Sequence, residues 1–522
     1  MATIAEWQFG AHMLGVEDIR GGEGLLGVAY GNGVDTRFDD SCLAPLLTAV
    51  DLSGSDAAGG GSVGTANTVR AVAFSESMNA PDKAVFARGT KLGAIRLDTR
   101  ASIFDGTAEG GGSPYGEDVW DLIYTKSAAG TQEISVGFKD TVYRVITDIP
   151  ETGGYTAGPN NESYKIATFG NGGSDAAAPV IAGIGKGSGS VYKVFSNTLS
   201  GPVTMDASAW LERAVLGSDI TPTGFAMDGR FWLPATNDGI YFLDSDGQRY
   251  RPQQEALPTD PNNNQGFGTQ TISYLGPGVL NPVINGLRLT QALNTQSVGV
   301  ELYPYNTTPV TGRYGHATES PTWVYMPIYN TITGASYVCA MRPRQPGDQH
   351  PQPLSWYVLY ELAAKESKLC RYSGFKGGVS NGTVWVGRGS DVSWFTEANT
   401  RLPWSDTSQA FGTSGTLYGT LLRRNPDRGK SPEWVHIETA GCTASNTIAV
   451  DLVMVDHRGT EQTVRCGGPI VSNGRHRLPV PPGMSAEQFY PKVTFVGAGG
   501  NATPRIKYGR LAVMGSTGEL AW

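Results

Sequence analysis

Cysteine and charge are both scarce in this chain. Of 522 residues, 17% are charged and five are cysteines, at positions 42, 339, 370, 442 and 466, with no C-x-x-C pair. An odd count excludes complete intrachain pairing. The cysteine pattern therefore predicts free, buried thiols in a protein assembled in a reducing cytoplasm, with one disulfide, such as Cys442–Cys466, left open.

Long apolar runs are missing as well. No stretch of about 18 apolar residues occurs, so the sequence predicts no membrane insertion. The first ten residues, MATIAEWQFG, lack the basic start and apolar core of a secretory signal, so we expect none. The net charge of −8 argues against nucleic-acid binding, because such proteins need a basic face. The most basic segment, Leu421–Lys430, is interpreted as a solvated hairpin loop.

The usual residue patterns of catalysis and metal binding are sparse. The six histidines show no zinc-ligand spacing: His12, His316, His350, His436, His457 and His476. Gly183–Gly189 looks like a phosphate-binding loop, but the residues after it favour a strand, which predicts a hairpin turn. Asp244–Gly247 offers too few oxygen ligands for a calcium loop and reads as a β-turn. The sequence therefore predicts a protein that is not an enzyme and has no catalytic, cofactor-binding or metal residues.

Aromatic side chains are the chemical resource that remains. The chain has 11 tryptophans and 22 tyrosines, and such rings stack on sugars or fill interfaces and cores. Both interpretations stay open for five aromatic residues expected in loops: Trp7, Tyr115, Tyr314, Trp404 and Tyr490.

Glycine, in contrast, is abundant, with 70 residues, and it marks a repeat. In Gly382–Glu397, apolar residues alternate on both sides of a glycine-containing break, which is typical of a β-hairpin. Similar hairpins begin near residues 26, 85, 134, 180, 231, 284, 337 and 384. A repeat of about 50 residues built from strands predicts a β-propeller. We expect about seven blades, with six to eight possible, and the hairpin at 26–38 as the clasp of the last blade.

The pattern divides the chain into four segments. We predict an N-terminal arm at 1–22, a β-propeller at 23–397, a linker at 398–412 and a β-sandwich at 413–522. Seven consecutive strand patterns without helices indicate that this sandwich is of jelly-roll or immunoglobulin-like type.

Three further expectations concern local structure. Asp40–Val50 has the spacing of one or two helical turns, and Ala207–Leu216 follows an N-cap aspartate and precedes Gly217, which predicts a helix. The long polar segment Pro252–Gly268 is a candidate surface for contacting a partner, since loops of this length are usually functional.

Taken together, these segments resemble a known kind of virion protein. The glycine-rich blades lead through VWVGRGSDVSWFTE and a tryptophan-containing linker into a sandwich with Glu433–Glu438, Thr447–Val455 and Arg475–Val480. This combination of blades, linker and sandwich resembles the propeller-plus-sandwich structural proteins of tailed bacteriophages, of the minor tail or fibre type. The resemblance implies a non-enzymatic virion component, assembled in the host cytoplasm, that contacts copies of itself and other virion proteins. A host-surface glycan or receptor is a further candidate partner.

Two other classes of function stay open from the sequence. A carbohydrate-active propeller enzyme, either a hydrolase or a lyase, would need two carboxylates facing each other in the central funnel. Strand positions such as Val85 and Val384 are apolar where such carboxylates would stand. A repeat scaffold for cellular complexes is the second alternative, and its sequence pattern would be the same as that of a virion protein.

Overall fold

A computed structural model gives the structure of the protein. It describes residues 2–9, 25–26, 28–50, 69–75, 83–88, 91–96, 102–104, 119–126, 132–138, 144–147, 154–157, 163–166, 180–186, 192–198, 211–215, 226–227, 231–235, 239–243, 249–250, 270–271, 279–283, 286–291, 294–300, 312–315, 317–320, 323–330, 332–343, 354–362, 366–372, 382–388, 391–398, 402–422, 428–456, 458–484 and 488–519. These residues are almost entirely β-strands and the turns between them.

The N-terminal part of the chain contributes six short strands, which join three different sheets. They are β1 (Ala2–Gln8), β2 (Leu25–Leu26), β3 (Val28–Asn32), β4 (Val34–Asp35), β5 (Ser41–Leu43) and β6 (Thr48–Val50).

The middle of the chain forms seven small antiparallel sheets, one after another. The strands of the first four sheets are β7 (Val69–Ser75), β8 (Lys83–Arg88), β9 (Lys91–Arg96) and β10 (Ser102–Phe104); β11 (Val119–Lys126), β12 (Gln132–Phe138), β13 (Arg144–Thr147) and β14 (Gly154–Ala157); β15 (Ser163–Ile166), β16 (Val180–Lys186), β17 (Tyr192–Thr198) and β18 (Leu211–Val215); β19 (Ala226–Met227), β20 (Phe231–Ala235), β21 (Gly239–Leu243) and β22 (Arg249–Tyr250).

The other three small sheets follow in the same manner. Their strands are β23 (Gln270–Thr271), β24 (Val279–Val283), β25 (Gly286–Gln291) and β26 (Asn294–Ser297); β27 (Arg313–Tyr314), β28 (Thr318–Glu319), β29 (Val324–Tyr329), β30 (Ser336–Pro343) and β31 (Leu354–Leu362); β32 (Glu366–Tyr372), β33 (Thr383–Arg388) and β34 (Asp391–Thr396).

Each small sheet is built around one of the hairpins predicted from the glycine repeat. The hairpins starting near 85, 134, 180, 231, 284, 337 and 384 correspond to adjacent, paired strands of the seven sheets. In the first sheet, β7 also lies next to β11 of the second and β32 of the seventh. The described residues thus form an all-β structure of many antiparallel sheets, consistent with a β-propeller.

The seventh small sheet takes its fourth strand from the N-terminal part of the chain. β6 pairs with β34, with Thr48 opposite Trp394 and Val50 opposite Val392. The predicted clasp at 26–38 is therefore wrong. That segment holds β2, β3 and β4, which pair with β1, β35 and β5 instead. Strand alternation marks a hairpin in both segments, but it does not encode which distant strand will pair with it.

The C-terminal part forms seven strands that match the predicted ones in order and, within a few residues, in extent. After a short 3-10 turn at Pro403–Ser405, they are β35 (Ser414–Gly419), β36 (Arg428–Ala440), β37 (Thr447–Val455), β38 (Glu461–Arg465), β39 (Gly474–Pro479), β40 (Gln488–Val496) and β41 (Arg505–Glu519).

These strands and those of the N-terminal part make two larger sheets. One runs β2-β1-β41-β36-β39, with β5 also paired to β41, and the other runs β3-β35-β40-β37-β38. The expectation of an arm at 1–22 is corrected for Ala2–Gln8, which lies inside the first sheet because its alternating apolar residues fit the inner face. Trp7, opposite Leu511, is fully buried there.

The two larger sheets share one hydrophobic core. It joins buried residues of both sheets in a single cluster. Among its members are Trp7, Leu417, Val435, Ile437, Val450, Leu452, Val493, Phe495, Leu511 and Val513.

Two predicted helical segments are strands in the structure. Leu211–Val215, inside the expected helix Ala207–Leu216, is β18 and pairs with β17. The segment Asp40–Val50 contains β5 and β6 instead of helical turns. Isolated helices this short are only marginally stable in water, so strand pairing decides the outcome at both places. Pro45 additionally cannot donate a helical hydrogen bond.

Cys42, Cys442 and Cys466 are buried free thiols. The disulfide Cys442–Cys466 that the sequence left open is therefore not formed. Burial raises the pKa of the Cys466 thiol to about 12 and raises that of Cys442 as well. Thiols with raised pKa values are poor nucleophiles, which is expected of structural cysteines.

Candidate functional site

A buried network of charged and polar side chains surrounds Arg37. Its guanidinium donates to both carboxylate oxygens of Asp35, from Nε to Oδ1 at 3.0 Å and from Nη2 to Oδ2 at 2.8 Å. Nη1 donates to the Tyr325 hydroxyl at 2.9 Å, and that hydroxyl donates to Glu397 Oε1 at 2.9 Å. We call these four residues the Arg37 network.

The network joins three parts of the fold. Asp35 ends β4, and Arg37 follows two residues later, where the Asp35 carboxylate also accepts from the Arg37 backbone N–H at 3.0 Å. Tyr325 lies on β29 of the sixth small sheet. Glu397 directly follows β34 of the seventh, and its backbone N–H donates to the Gly382 carbonyl at 2.8 Å. The Arg37 network therefore links the N-terminal segment to the sixth small sheet directly, and to the residue that follows the seventh small sheet through the Tyr325 hydroxyl.

Aromatic rings surround the guanidinium. The Arg37 carbon Cζ lies 5.1 Å from the centroid of the Trp323 ring, 5.4 Å from that of Phe38 and 5.7 Å from that of Tyr325. Ring faces attract cations, and the attraction grows when water is excluded. Arg342 lies over the same Trp323 ring at 5.1 Å, so this tryptophan contacts two cations.

The electrostatics fix the protonation state of the central groups. Burial alone would lower the pKa of Arg37, but the neighbouring Asp35 and Tyr325 outweigh it and raise that pKa well above its usual value. Burial also raises the pKa of the Tyr325 hydroxyl, a change that Arg37 opposes and Glu397 reinforces. The network is therefore a charged guanidinium held by a neutral phenol and a carboxylate.

The burial of the four side chains in the Arg37 network favours a structural role for them over a catalytic one. The side chains of Arg37 and Asp35 are 1% and 2% exposed, and Tyr325 and Glu397 are buried as well. A general acid or base must reach the proton that it transfers in a bound substrate. These groups contact one another inside the protein. We therefore interpret the Arg37 network as a structural link between the N-terminal segment and the small sheets, and call this link the joint.

A row of tyrosine rings also connects the sixth small sheet to one of the larger sheets. The Tyr30 ring, on β3, stacks on Tyr418 at 5.7 Å between centroids and meets Tyr337 of the sixth small sheet edge-on at 6.0 Å. Tyr418 in turn lies 6.4 Å from Tyr490. This row of rings runs from a small sheet into one of the larger sheets, beside the same N-terminal segment that carries Arg37.

The aromatic residues proposed for sugar contact lie mostly on strands, contrary to the expectation of loops. Trp7 is buried on β1, where Nε1 donates to the Thr420 carbonyl at 2.9 Å, and Tyr314 is buried on β27. Tyr490 lies on β40 and donates to Glu461 Oε1 at 3.0 Å. Trp404, in the 3-10 turn, packs on the core and under Arg505. Tyr115 lies outside the described residues.

Several other candidates from the sequence can be placed as well. Gly183–Lys186 belongs to β16, which pairs with β17, so this segment is part of a hairpin and not a phosphate loop. Arg428–Lys430, at the end of the predicted basic loop, is the start of β36. Asp244–Gly247, Pro252–Gly268 and four histidines, His12, His316, His350 and His457, lie outside the described residues.

The two described histidines, His436 and His476, lie on neighbouring strands of one larger sheet. His436 is exposed, and His476 lies 3.0 Å from both Thr439 Oγ1 and the Ser472 carbonyl. Within the described ranges, no group of three or more His, Cys, Asp or Glu side chains is placed to hold a metal ion. The same ranges contain no helix long and apolar enough to cross a membrane.

The Arg37 network was not predicted from the sequence. A signal was present in Asp35-Thr-Arg37, two opposite charges between the apolar residues Val34 and Phe38, but the partners Tyr325 and Glu397 are distant in the chain. Sequence patterns identify neighbours along a strand or helix, and they do not identify such long-range contacts.

Known proteins are similar to this chain only at a distance. No protein-family model and no curated protein matches the chain. Among solved structures, it is similar to the WD40 domain of SCAP from fission yeast, at 12% sequence identity and a TM-score of 0.33, over 64% of this chain and 85% of that one. A likeness this distant carries no argument about function.

Proposed function

We propose that this chain is a non-enzymatic structural component of a tailed-bacteriophage virion, associated with the tail and of the minor tail or fibre type. In this proposal, the seven small sheets are the blades of a propeller and the two larger sheets form a β-sandwich. Support comes from the resemblance of the sequence to such proteins and from the way in which the N-terminal segment connects the parts.

The observation that carries the proposal is the path of residues 28–50. Within this short segment, β3 adds to one larger sheet, Arg37 donates to Tyr325 of the sixth small sheet, and β6 completes the seventh. Tyr325 in turn donates to Glu397, which follows the last strand of the seventh small sheet. Side chains from this segment also enter two hydrophobic cores, with Leu43 in the core of the larger sheets and Ala44 in a core formed by the sixth and seventh small sheets. A chain tied in this way is a stiff platform.

A stiff platform serves a virion by geometry. Loops and sheet faces are held at fixed positions, and attachment to neighbours proceeds by apolar docking or strand addition. The expected partners are copies of this chain and other virion proteins, with a host-surface glycan as a target. Several copies on one particle would convert weak single contacts into firm attachment.

The proposal is tested by locating the chain in purified particles. Antibodies against the full chain are applied to density-purified virions from a lysate in which the chain is produced, and the particles are viewed by electron microscopy. We expect label at the tail, at several copies per particle, and a matching band in mass spectrometry. Recovery of the chain only in particle-free fractions would contradict the proposal.

A parallel assay separates the proposal from the carbohydrate-active alternative. Purified chain is incubated with neutral and acidic polysaccharides, and new reducing ends and unsaturated products are measured. We expect no increase above a heat-denatured control. Sustained product formation that scales with protein concentration would instead assign the chain to the enzymes.

A further inference from the structure

The outward face of the sheet that contains β36 and β39 carries an unusual set of side chains. Val435 and Ile437 point into the core, so their alternate neighbours on β36 point outward. In register, Glu438 stands opposite Arg475 of β39. We call this surface the cationic face, defined by Trp434, Glu438, Arg475, Arg477, Lys507 and Tyr508.

One edge of the cationic face is a bulge in β41. Ile437 pairs with Leu511 and Thr439 with Ile506, so four residues of β41 stand opposite Glu438 alone. At the top of this bulge, Tyr508 has φ 55° and is 60% exposed. This left-handed conformation is strained for a residue with a Cβ.

A hydrogen bond to Asp40 stabilises the strained backbone conformation of Tyr508. The backbone N–H of Tyr508 donates to Asp40 Oδ1 at 3.0 Å, and Asp40 Oδ2 accepts from Arg505 at 3.2 Å. The fold thus keeps an exposed aromatic ring in a costly position. Residues in strained backbone regions cluster at binding sites, which makes Tyr508 a candidate for ligand contact.

The cations of the face are held in position by their neighbours. Glu438 accepts from Lys507 Nζ at 2.9 Å and from Arg475 Nε at 3.1 Å, so one carboxylate aligns two cations. The Arg477 guanidinium carbon lies 3.9 Å from the Trp434 ring centroid, a stacking contact that orients the guanidinium plane. The Arg475 side chain is 89% exposed.

The sign of this face is opposite to that of the chain. Among its six members, three are cations and one is an anion, whereas the whole chain has a net charge of −8. A local field of this sign attracts anions, while the charge of the whole molecule disfavours long nucleic acids. The ligand that complements the cationic face is therefore an anion that also has apolar surface beside its charged groups.

We propose that the cationic face binds an acidic polysaccharide, with carboxylated sugars as the recognised units. This inference rests on the proposed function, for which it names the ligand class and the surface. Forked guanidinium donors match carboxylates in two parallel hydrogen bonds. The exposed Tyr508 ring offers an apolar surface with a polar tip, which suits the apolar face of a sugar ring.

Binding is measured with the purified full chain by calorimetry at low and high salt. The probes are polygalacturonate and polysialic acid, with neutral dextran as the uncharged control. We expect both acidic polymers to bind at low salt, to weaken as salt screens the charges, and dextran not to bind. Equal binding to dextran, or no binding to either acidic polymer, would overturn the inference.

Variants then locate the site. The pair Arg475→Gln and Arg477→Gln is expected to weaken binding by at least about ten-fold, the loss expected when charge-assisted hydrogen bonds are removed. Tyr508→Gly removes the ring and suits the left-handed backbone, so we expect weaker binding without a lower thermal midpoint. Arg458→Gln, in an exposed turn, is the matched control and should leave binding unchanged.

Other occupants of the face would give different results. Binding of duplex DNA with the same dependence on Arg475 and Arg477 would identify a general anion surface and overturn the inference. So would dimerisation in sedimentation that these variants abolish, because the occupant would then be a second copy of the chain. If labelled virions carry the chain but it binds neither acidic polymer, the inference fails while the proposed function stands.

Discussion

Thr48 and Trp394 are strand partners in the seventh small sheet, although they lie near opposite ends of the region that forms the small sheets. The pairing means that the last small sheet is incomplete until the N-terminal segment has docked. Eleven residues before Thr48 on the same segment, Arg37 donates to Tyr325 of the sixth sheet. One stretch of chain therefore both completes the seventh small sheet and contributes a strand to a larger sheet.

Replacement of Arg37 tests the joint. Arg37→Ala leaves the Asp35 carboxylate buried without its cation, and breaking a buried ion pair from one side costs about 3–5 kcal/mol. We expect a loss of this size in the free energy of unfolding, measured by urea titration with circular dichroism. Arg458→Ala, in an exposed turn, is the control and should change stability by no more than about 0.5 kcal/mol. Equal effects of the two changes would contradict the joint.

Tyr30 allows a test in the opposite direction. Its hydroxyl oxygen is buried and has no hydrogen-bond partner among the described residues, while its ring contacts Tyr337 and Tyr418. Tyr30→Phe keeps the ring and removes the unsatisfied group. We expect the free energy of unfolding to stay equal or to rise by about 1 kcal/mol. A loss of more than about 1 kcal/mol would show that the hydroxyl has a partner.

The first strand can be tested through Trp7. Its ring is fully buried, lies 5.8 Å from Phe489 and donates to Thr420. Trp7→Ala should therefore lower the free energy of unfolding by about 3–5 kcal/mol, as is usual for truncation of a large core aromatic. Gln8→Ala, on the outward face of the same strand, is the matched control. If residues 1–22 formed a free arm, both substitutions would be silent in urea unfolding.

The Glu438–Lys507 pair predicts a dependence of stability on pH. Hydrogen bonds from Lys507 and Arg475 lower the pKa of Glu438, and the hydrogen bond to Glu438 raises that of Lys507. Stabilisation by the lowered carboxyl is complete above its ordinary pKa of about 4.3 and is lost as the pH falls through the folded value. Stabilisation by the raised amine is complete below about pH 10.4 and is lost as the pH rises through its folded value.

The measurement compares the thermal midpoint of the native chain with that of Glu438→Gln across the pH range. The difference between the two should be largest between these limits and should shrink toward both acid and alkaline pH. Added salt should reduce it, because the pair is near the surface. A difference that does not vary with pH would contradict the assignment of the pair.

Local pattern predicted much of the fold. Alternation around glycine turns located the seven central hairpins, and the strands after residue 413 were found in order. Residues 2–50 were not predicted correctly, because their strands pair with β34, β35 and β41, and register over such distances depends on packing. The Arg37 network was not predicted for the same reason, since Tyr325 and Glu397 come close to Arg37 only after the sheets have formed.

The central claim is that β6 of the N-terminal segment supplies the fourth strand of the seventh small sheet. Crosslinking tests this claim most directly. Ala49 stands opposite Ser393, at a strand-pair spacing compatible with a disulfide. Oxidation of the variant Ala49→Cys with Ser393→Cys should give this disulfide in nearly full yield by peptide mass spectrometry. The control, Thr48→Cys with Ser393→Cys, is out of register and should give little. Absence of the crosslink in the first variant, or equal yields in both, would contradict the closure.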